Sequence, residues 1–306
     1  MSPKLDDATS AKLLLVLCGL CWGLMWPLIR IGLTGLSPWS FRLIGFTVGA
    51  ATLMIVVKLS GRSLAVKGGM TWVHLFVSSI LNVVVFGVLS TFAILTTSTG
   101  RVAVVSYSFP VWACLLAWLI LGEKLRGTVA LGLALCIGGL AVLLYPVIGS
   151  AGLTGLALSL AAAMTWAVGT IYLKLVKIPG DMIAVAAWQI AIAAVMLLFC
   201  TLIFQGWPTF EPAPADALAA VVFNGMIGSA LCYFLWCNIV GRLPATTASL
   251  GSLLSPAIGV VLSALVLGEI PSTIDVIGFG LIFAAAMIVI LRRPANIVAA
   301  APATRP

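Results

Sequence analysis

An all-α membrane protein of ten transmembrane helices, arranged as two inverted repeats of five, is the fold class that this sequence predicts. Three observations carry it. Of 306 residues, 62% are apolar and 8% charged, with mean hydropathy +1.24, whereas a soluble domain carries about 25% charged residues. Apolar runs of the ~20 residues that one bilayer crossing needs recur ten times along the chain. The second half of the chain also repeats the first. A soluble globular protein is thereby excluded. So is a β-barrel, because these runs are continuously apolar where barrel strands alternate apolar and polar residues over about ten positions.

Charge, Pro and Gly delimit the runs. Residues 1–10 form a polar tail. The run at 11–30 is as long as a full span and no small-residue cleavage pattern follows it, so it reads as span 1 and not as a signal peptide. Span 2 (38–58) starts at Pro38 and ends at Lys58, before a loop with Arg62 and Lys67. Span 3 (71–95) follows Gly68 and Gly69. Span 4 (101–121) runs from Arg101 to a Leu-Gly-Glu, and Lys124 and Arg126 separate it from span 5 (127–148). Span 6 (153–174) begins beyond Gly149 and Gly152 and ends at Lys174. Pro179 and Gly180 precede span 7 (182–204), and Pro208, Pro212 and Pro214 precede span 8 (217–240). Span 9 (246–267) lies between Pro244 and a second Leu-Gly-Glu, and span 10 (273–291) stops at Arg292 and Arg293. The tail 293–306 is expected to be disordered.

With the N-terminus in the cytoplasm, all of the 16 Lys and Arg except Arg30, Arg42 and Arg101 fall on the cytoplasmic side, as the positive-inside rule requires. Both termini are then cytoplasmic. The net charge of +8 becomes a topology signal and not a nucleic-acid footprint. All seven cysteines fall inside predicted spans, and an odd, lipid-buried set is not a disulfide framework. Cys18 and Cys21 form a C-x-x-C, but mid-helix among Leu and Trp, where apolar packing accounts for them.

The repeat is clearest where residues 108–125 return as 254–271. Pro110 and Pro256 are each followed thirteen residues later by the Glu of Leu-Gly-Glu, Glu123 and Glu269. Slightly different shifts align Trp22 with Trp166, Arg30 with Lys174, and Asn82 with Asn224. Spans 1–5 (residues 11–150) therefore repeat as spans 6–10 (151–292). Five helices per half turn the second half upside down relative to the first, the architecture of many secondary transporters.

No Asp or Glu lies in the interior of a span, Asp275 standing at the start of span 10, so a proton relay built on a buried carboxylate is not available. No paired aspartates, H-E-x-x-H or Ser/His dyad can be assembled either, which disfavours an intramembrane enzyme. No metal or organic cofactor is implied. The neutral polar residues are more informative, because each must find a partner in hydrocarbon or line a wet cavity. Asn82 and Asn224 either face a central cavity or bond helix to helix. Gln189 beside Trp188, and Ser252 with Ser249 and Ser255, are further candidates. Trp22 and Trp166 lie mid-span at equivalent positions, with Trp26 one turn beyond Trp22; with Tyr107 and Tyr233 they suit an amphipathic cavity wall. Pro110 and Pro256 are expected to kink spans 4 and 9 as pivots or static bends. His74, near the cytoplasmic end of span 3, is either a titrating gate or an interfacial hydrogen-bonding residue. Gly19 to Gly23 and Gly45 to Gly49 fit close helix packing.

Ten spans in inverted halves, a Trp in spans 1 and 6, Arg42 early in span 2 and the doubled Pro to Leu-Gly-Glu spacing resemble the drug/metabolite transporter superfamily, over residues 11–292. The chain is most similar to its EamA-type, ten-helix branch, in particular the bacterial aromatic amino-acid exporters of YddG type. The resemblance implies a basket of helices around a central cavity formed by spans 1, 3, 4, 6, 8 and 9, with spans 5 and 10 peripheral. It implies an alternating-access exporter in the bacterial inner membrane, with amino acids or related metabolites as its small-molecule partners. Alternatives are amphipathic drugs as substrates and, less suited, nucleotide sugars or sugar phosphates, which want several bases in the cavity. A channel is a further alternative, though one that needs polar rings along its pore. The halves differ where Lys124 is matched by Ile270 and where Arg42 has Gln189 near its equivalent place; Arg42 is assigned with the gate residues. A fluorescent protein fused after Pro306 should be bright in a bacterial host and alkaline phosphatase fused there inactive. The opposite pattern would invert the topology.

Overall fold

A computed structural model describes residues 7–122, 127–148, 153–206, 213–244, 247–248, 252 and 254–290. Among these residues every regular element is helical. The chain runs through α1 (Asp7–Gly32), α2 (Pro38–Leu59), α3 (Gly69–Thr96), α4 (Thr99–Leu121), α5 (Gly127–Leu144), α6 (Leu153–Val176), α7 (Met182–Phe204), α8 (Ala215–Arg242), α9 (Leu254–Leu267) and α10 (Thr273–Ile290). Helices α1 to α8 are each long and apolar enough to cross a membrane; α9 and α10 contribute shorter apolar helices. Each predicted span coincides with one helix, although the start of span 9, with Ser249, lies outside the described residues, as do Glu123, Lys124, Trp207, residues 1–6 and the tail 293–306; residues 7–10, expected in the N-terminal tail, open α1 instead. Helix α8 begins earlier than expected, at Ala215, and takes in Asp216, whose charge suits a helix N-terminus.

Local chemistry sets the ends. Ser37 accepts from Ser40 N (3.1 Å) ahead of Pro38 in the first turn of α2. Asp181 accepts from Ile183 N (3.1 Å) at the start of α7 and pairs with Arg62 at 3.0 Å. That exposed ion pair is worth at most about 1 kcal/mol; its role is to hold the α2–α3 loop against α7.

The helices pack in matched pairs: α2 on α7, α5 on α10, α4 on α9, α1 on α9 as α6 on α4, and α3 on α6 as α8 on α1. Exchanging α1–α5 for α6–α10 leaves this pattern unchanged. In lipid the close fit of small residues replaces the hydrophobic drive, and the tightest crossings are at glycine. A Cβ on Gly23 would lie 2.8 Å from Ser255 O, one on Gly225 2.6 Å from Gly45 O, and one on Gly139 2.7 Å from Gly278 O. The expected packing roles of Gly19 to Gly23 and Gly45 to Gly49 are borne out. Bases at repeat-equivalent sites also act alike. Arg30 donates to Ile94 O (2.8 Å) near the end of α3, and Lys174 donates to Leu243 O at the end of α8, each meeting the negative end of a helix.

Three helices are irregular. Residues Ile80–Val85 of α3 and Asn224–Leu231 of α8 are π-helical. In α4 a turn at Tyr107 and Ser108 separates Thr99–Ser106 from Phe109–Leu121. The prolines correct an expectation here. Pro110 does not kink a continuous helix but sits in the first turn of a new one, where a missing N–H costs nothing. Pro256 likewise falls in the first turn of the α9 helix that is described from Leu254. The helix-internal proline is Pro27 of α1, which leaves the carbonyl of Gly23 without its helical donor. Gly139→Leu should destabilise the protein by about 1–3 kcal/mol or more through overpacking against α10, whereas Gly138→Leu, with open space beside its Cα, should not. Apparent melting temperatures in detergent check this, and equal values for the two variants would contradict the α5–α10 seam.

Candidate functional site

The centre of the bundle is filled by aromatic rings from four helices. Trp22 (α1) meets Trp166 (α6) edge-on with centroids 5.3 Å apart, and both meet Trp236 (α8) at 5.6 and 5.7 Å. Tyr233 lies 5.7 Å from Trp166, and Phe109 of α4 6.1 Å from both Trp166 and Trp236. Tilted and edge-on contacts of this kind add about 0.5–1.5 kcal/mol each beyond burial. The layer is also tied to the irregular backbone. Trp22 Nε1 donates to Gly228 O (3.2 Å) in the π-helical turn of α8, and Tyr233 Oη donates to Asn82 O (2.8 Å) in that of α3. A π-helical turn shifts its carbonyls out of the i to i−4 ladder, and aromatic donors meet two of them.

One cavity lies against this layer. Toward the end where α1 gives way to α2, a cavity of about 70 Å³ is walled by Trp22, Trp26 and Met25 of α1, Arg42 and Phe46 of α2, Phe86, Gly87 and Ser90 of α3, Tyr107 and Phe109 of α4, and Asn224, Ser229 and Tyr233 of α8. That is room for a handful of waters. A separate pocket of about 300 Å³, between the end of α6, the start of α7 and the end of α8, is bounded by Lys174, Lys177, Met182, Val185, Cys237 and Gly241 and is not lined by the ring layer. Neither wall contains a carboxylate.

The smaller cavity has a polar side. Arg42 is 7% exposed; its Nε donates to Gly87 O (2.9 Å) and Thr91 Oγ1, and its Nη2 to Ser90 Oγ (3.2 Å). Its guanidinium carbon lies 5.6 and 5.8 Å from the ring centres of Phe41 and Phe46, close enough for cation–π attraction. Gly87 makes the approach possible, since a Cβ there would come 3.1 Å from Phe46 and 3.5 Å from Arg42 Nε. Asn224 stands beside Gly45, one turn of α2 from Arg42.

Of the residues expected at the site, Trp22, Trp26, Tyr107, Trp166, Asn224 and Tyr233 come together around this cavity. Arg42, assigned to a gate, joins them in the wall. The asparagine pair divides: Asn224 faces the cavity, while Asn82 Nδ2 donates to Trp166 O (3.2 Å) and its side chain fills the space beside Gly169. Trp188 points elsewhere, donating to Leu64 O (2.9 Å) and meeting Trp72 at 4.8 Å. Its neighbour Gln189 is buried between α3 and α8, donating to Ser78 Oγ (2.7 Å) and accepting from Cys237 Sγ. Ser252 is buried away from the wall, and Ser255 accepts the hydroxyl of Tyr107. His74 Nδ1 shares a hydrogen bond with Tyr172 Oη (2.7 Å), far from the cavity. All seven cysteines are free thiols. Sequence reasoning missed Trp236, Ser90, Thr91 and Ser229; the one available signal was the adjacent pair of polar residues within an apolar span.

A model of the EamA-like transporter family matches the chain twice, over residues 9–145 and 153–291. The chain is 26% identical, over 94% of each sequence, to a probable terminal-alkyne amino-acid exporter of Streptantibioticus cattleyicolor. It is 24% identical to a probable amino-acid metabolite efflux pump of Escherichia coli, over 81% of this chain and 84% of that one. A crystal structure at 19% identity shares the fold with a TM-score of 0.75, over 92% of this chain and 98% of the other. These relatives agree with the expected superfamily and with amino-acid exporters within it; neither is named for aromatic substrates.

Trp22 and Trp166 differ in one respect that can be measured. Trp22 Nε1 has a carbonyl acceptor, whereas Trp166 Nε1 is buried with no partner among the described residues. Trp22→Phe should therefore cost about 0.5–1.5 kcal/mol more than Trp166→Phe, read as the difference in apparent melting temperature. Equal losses would remove the Trp22–Gly228 bond from the account.

Proposed function

Because the chain belongs to the EamA-like transporter family, we propose that it works by alternating access and exports small amphipathic metabolites, foremost amino acids and among them aromatic ones. The observation that carries this reading is the central cavity, walled by the rings of Trp22, Trp26, Phe46 and Trp166 and by the polar side chains of Asn224, Ser90 and Ser229 from helices of both halves. A solute held there needs a shift of rings and helix ends to pass from one side of the bundle to the other. The two family matches, one in each half, and the exchange symmetry of the helix contacts support inverted five-helix repeats, residues 11–150 and 151–292, rocking about a central site.

The distribution of Lys and Arg supports cytoplasmic termini in a bacterial inner membrane. The ends of α6 and α8, with Lys174, Lys177 and Gly241, then face the cytoplasm, and the central cavity lies toward the outside. Amino acids enter through the names of two relatives and through the cavity's two kinds of wall. Trp22, Trp26 and Phe46 offer apolar and π surface, while Asn224, Ser90 and Ser229 offer hydrogen bonds. A drug-like amphipathic solute is the second reading, favoured by the same apolar wall. Nucleotide sugars fit less well, since the cavity holds a single base, Arg42. A channel would need a polar path, which the aromatic layer interrupts. With no carboxylate in either wall, the substrate gradient drives the cycle.

Proteoliposomes preloaded with unlabelled amino acids test this by counterflow. Labelled Phe, Met or Thr should accumulate without an imposed ion gradient, and Trp22→Ala should lower the rate tenfold or more. Absence of uptake of Phe, Met, Thr and Lys by folded protein would overturn the amino-acid assignment, and uptake only under a proton gradient would overturn the energetics.

A further inference from the structure

We propose that Arg42 is the residue that selects the substrate, by binding its carboxylate. This rests on the transport reading above and names the chemical group that the central site recognises. A buried guanidinium is costly in a hydrocarbon setting and is ordinarily offset by a buried acid. Arg42 is buried, yet its hydrogen-bond partners are a backbone carbonyl and two hydroxyls, and the salt bridge found among the described residues belongs to Arg62 and Asp181. Its charge is solvated but not neutralised.

The donor geometry shows what is left over. A guanidinium has five N–H donors. The Nε donor is shared between Gly87 O and Thr91 Oγ1, and one Nη2 donor goes to Ser90 Oγ. The second Nη2 hydrogen and both hydrogens of Nη1 have no partner among the described residues. These are the donors of the end-on fork, whose spacing matches the two oxygens of a carboxylate. The three bonds that are made anchor the near side of the group on α3, so the fork is held in place before a ligand arrives.

The surroundings complete a site for an amphipathic acid. Asn224, one turn of α2 away, lines the same cavity with no side-chain partner among the described residues. Trp22, Trp26 and Tyr107 form the facing wall, on which an aromatic or aliphatic side chain rests and an ammonium meets ring faces. Arg42 is thus a specificity residue acting by direct contact, and its preferred ligands carry a free carboxylate with an apolar remainder.

Counterflow of three labelled compounds in the wild type and in two variants tests the assignment. The compounds are phenylalanine, 3-phenylpropionate (carboxylate, no amine) and phenethylamine (amine, no carboxylate). Wild-type protein should exchange phenylalanine at least tenfold faster than phenethylamine. Arg42→Gln should erase that preference, and Arg42→Lys, which keeps the charge but not the fork, should retain part of it. Should Arg42→Gln not fold, inhibition of wild-type phenylalanine exchange replaces it: phenylalanine should compete at least tenfold better than phenylalaninamide. Equal exchange of phenylalanine and phenethylamine, or an unchanged preference in Arg42→Gln, overturns the proposal while leaving the transport reading intact. Exchange of 3-phenylpropionate without phenylalanine overturns the amino-acid reading and supports the carboxylate assignment. Exchange of none of the three overturns both.

Discussion

A helix interrupted inside a bilayer leaves backbone groups that water cannot reach, and each must be satisfied from within the bundle or cost several kcal/mol. This chain interrupts three. The π-helical turns of α3 and α8 hold carbonyls that accept from Tyr233 and Trp22. The two aromatic donors are part of the same ring layer. Irregular backbone and aromatic layer are therefore one structure: the rings stay in place because their polar tips are tied to the irregular turns, and the turns persist because those tips satisfy them. At α4 the first segment starts with Thr99 and Gly100 N–H groups directed at the Glu269 carboxylate (3.4 and 3.3 Å), so the Glu of the second Leu-Gly-Glu caps a helix of the other half. The second copy of the motif has a physical role that its spacing alone did not disclose.

Much of the fold was legible because hydrocarbon imposes a simple length rule. Spans, loop positions and the glycine crossings all follow from apolar runs and small residues. The candidate site was legible in part, for reasons that differ residue by residue. Trp22, Trp166 and Tyr233 were found because mid-span aromatics at matched positions have few other places to be. Arg42 was read from its place near the outer end of a span as a gate residue, since nothing in the sequence links it to Gly87, Ser90 and Thr91, which α3 brings against it. Trp188 and Gln189 are adjacent, so their side chains diverge by about 100° around a helix of 3.6 residues per turn, and neither faces the cavity. Both asparagines lie in π-helical turns, a feature that has no compositional signature. The prolines misled because a proline mid-run looks the same whether it bends one helix or starts another.

Some of the buried polar groups without partners cluster together. Asn82 Oδ1 and the indole nitrogens of Trp166 and Trp236 are buried without partners among the described residues, all at the aromatic layer. A buried donor or acceptor left unsatisfied costs about 1–3 kcal/mol.

The cap that Glu269 places on Thr99 and Gly100 joins positions 170 residues apart. At roughly 5–20 residues per second a ribosome needs about 10–30 s to make the intervening chain. During that interval the first segment of α4, only eight residues long, waits in the membrane with its leading amides unmet. Biogenesis is thus not the sequential completion of two finished modules. The early half inserts first and acquires its final shape only when the last hairpin arrives, which makes the nascent intermediate the stage at which insertion factors and quality-control proteases have most to grip.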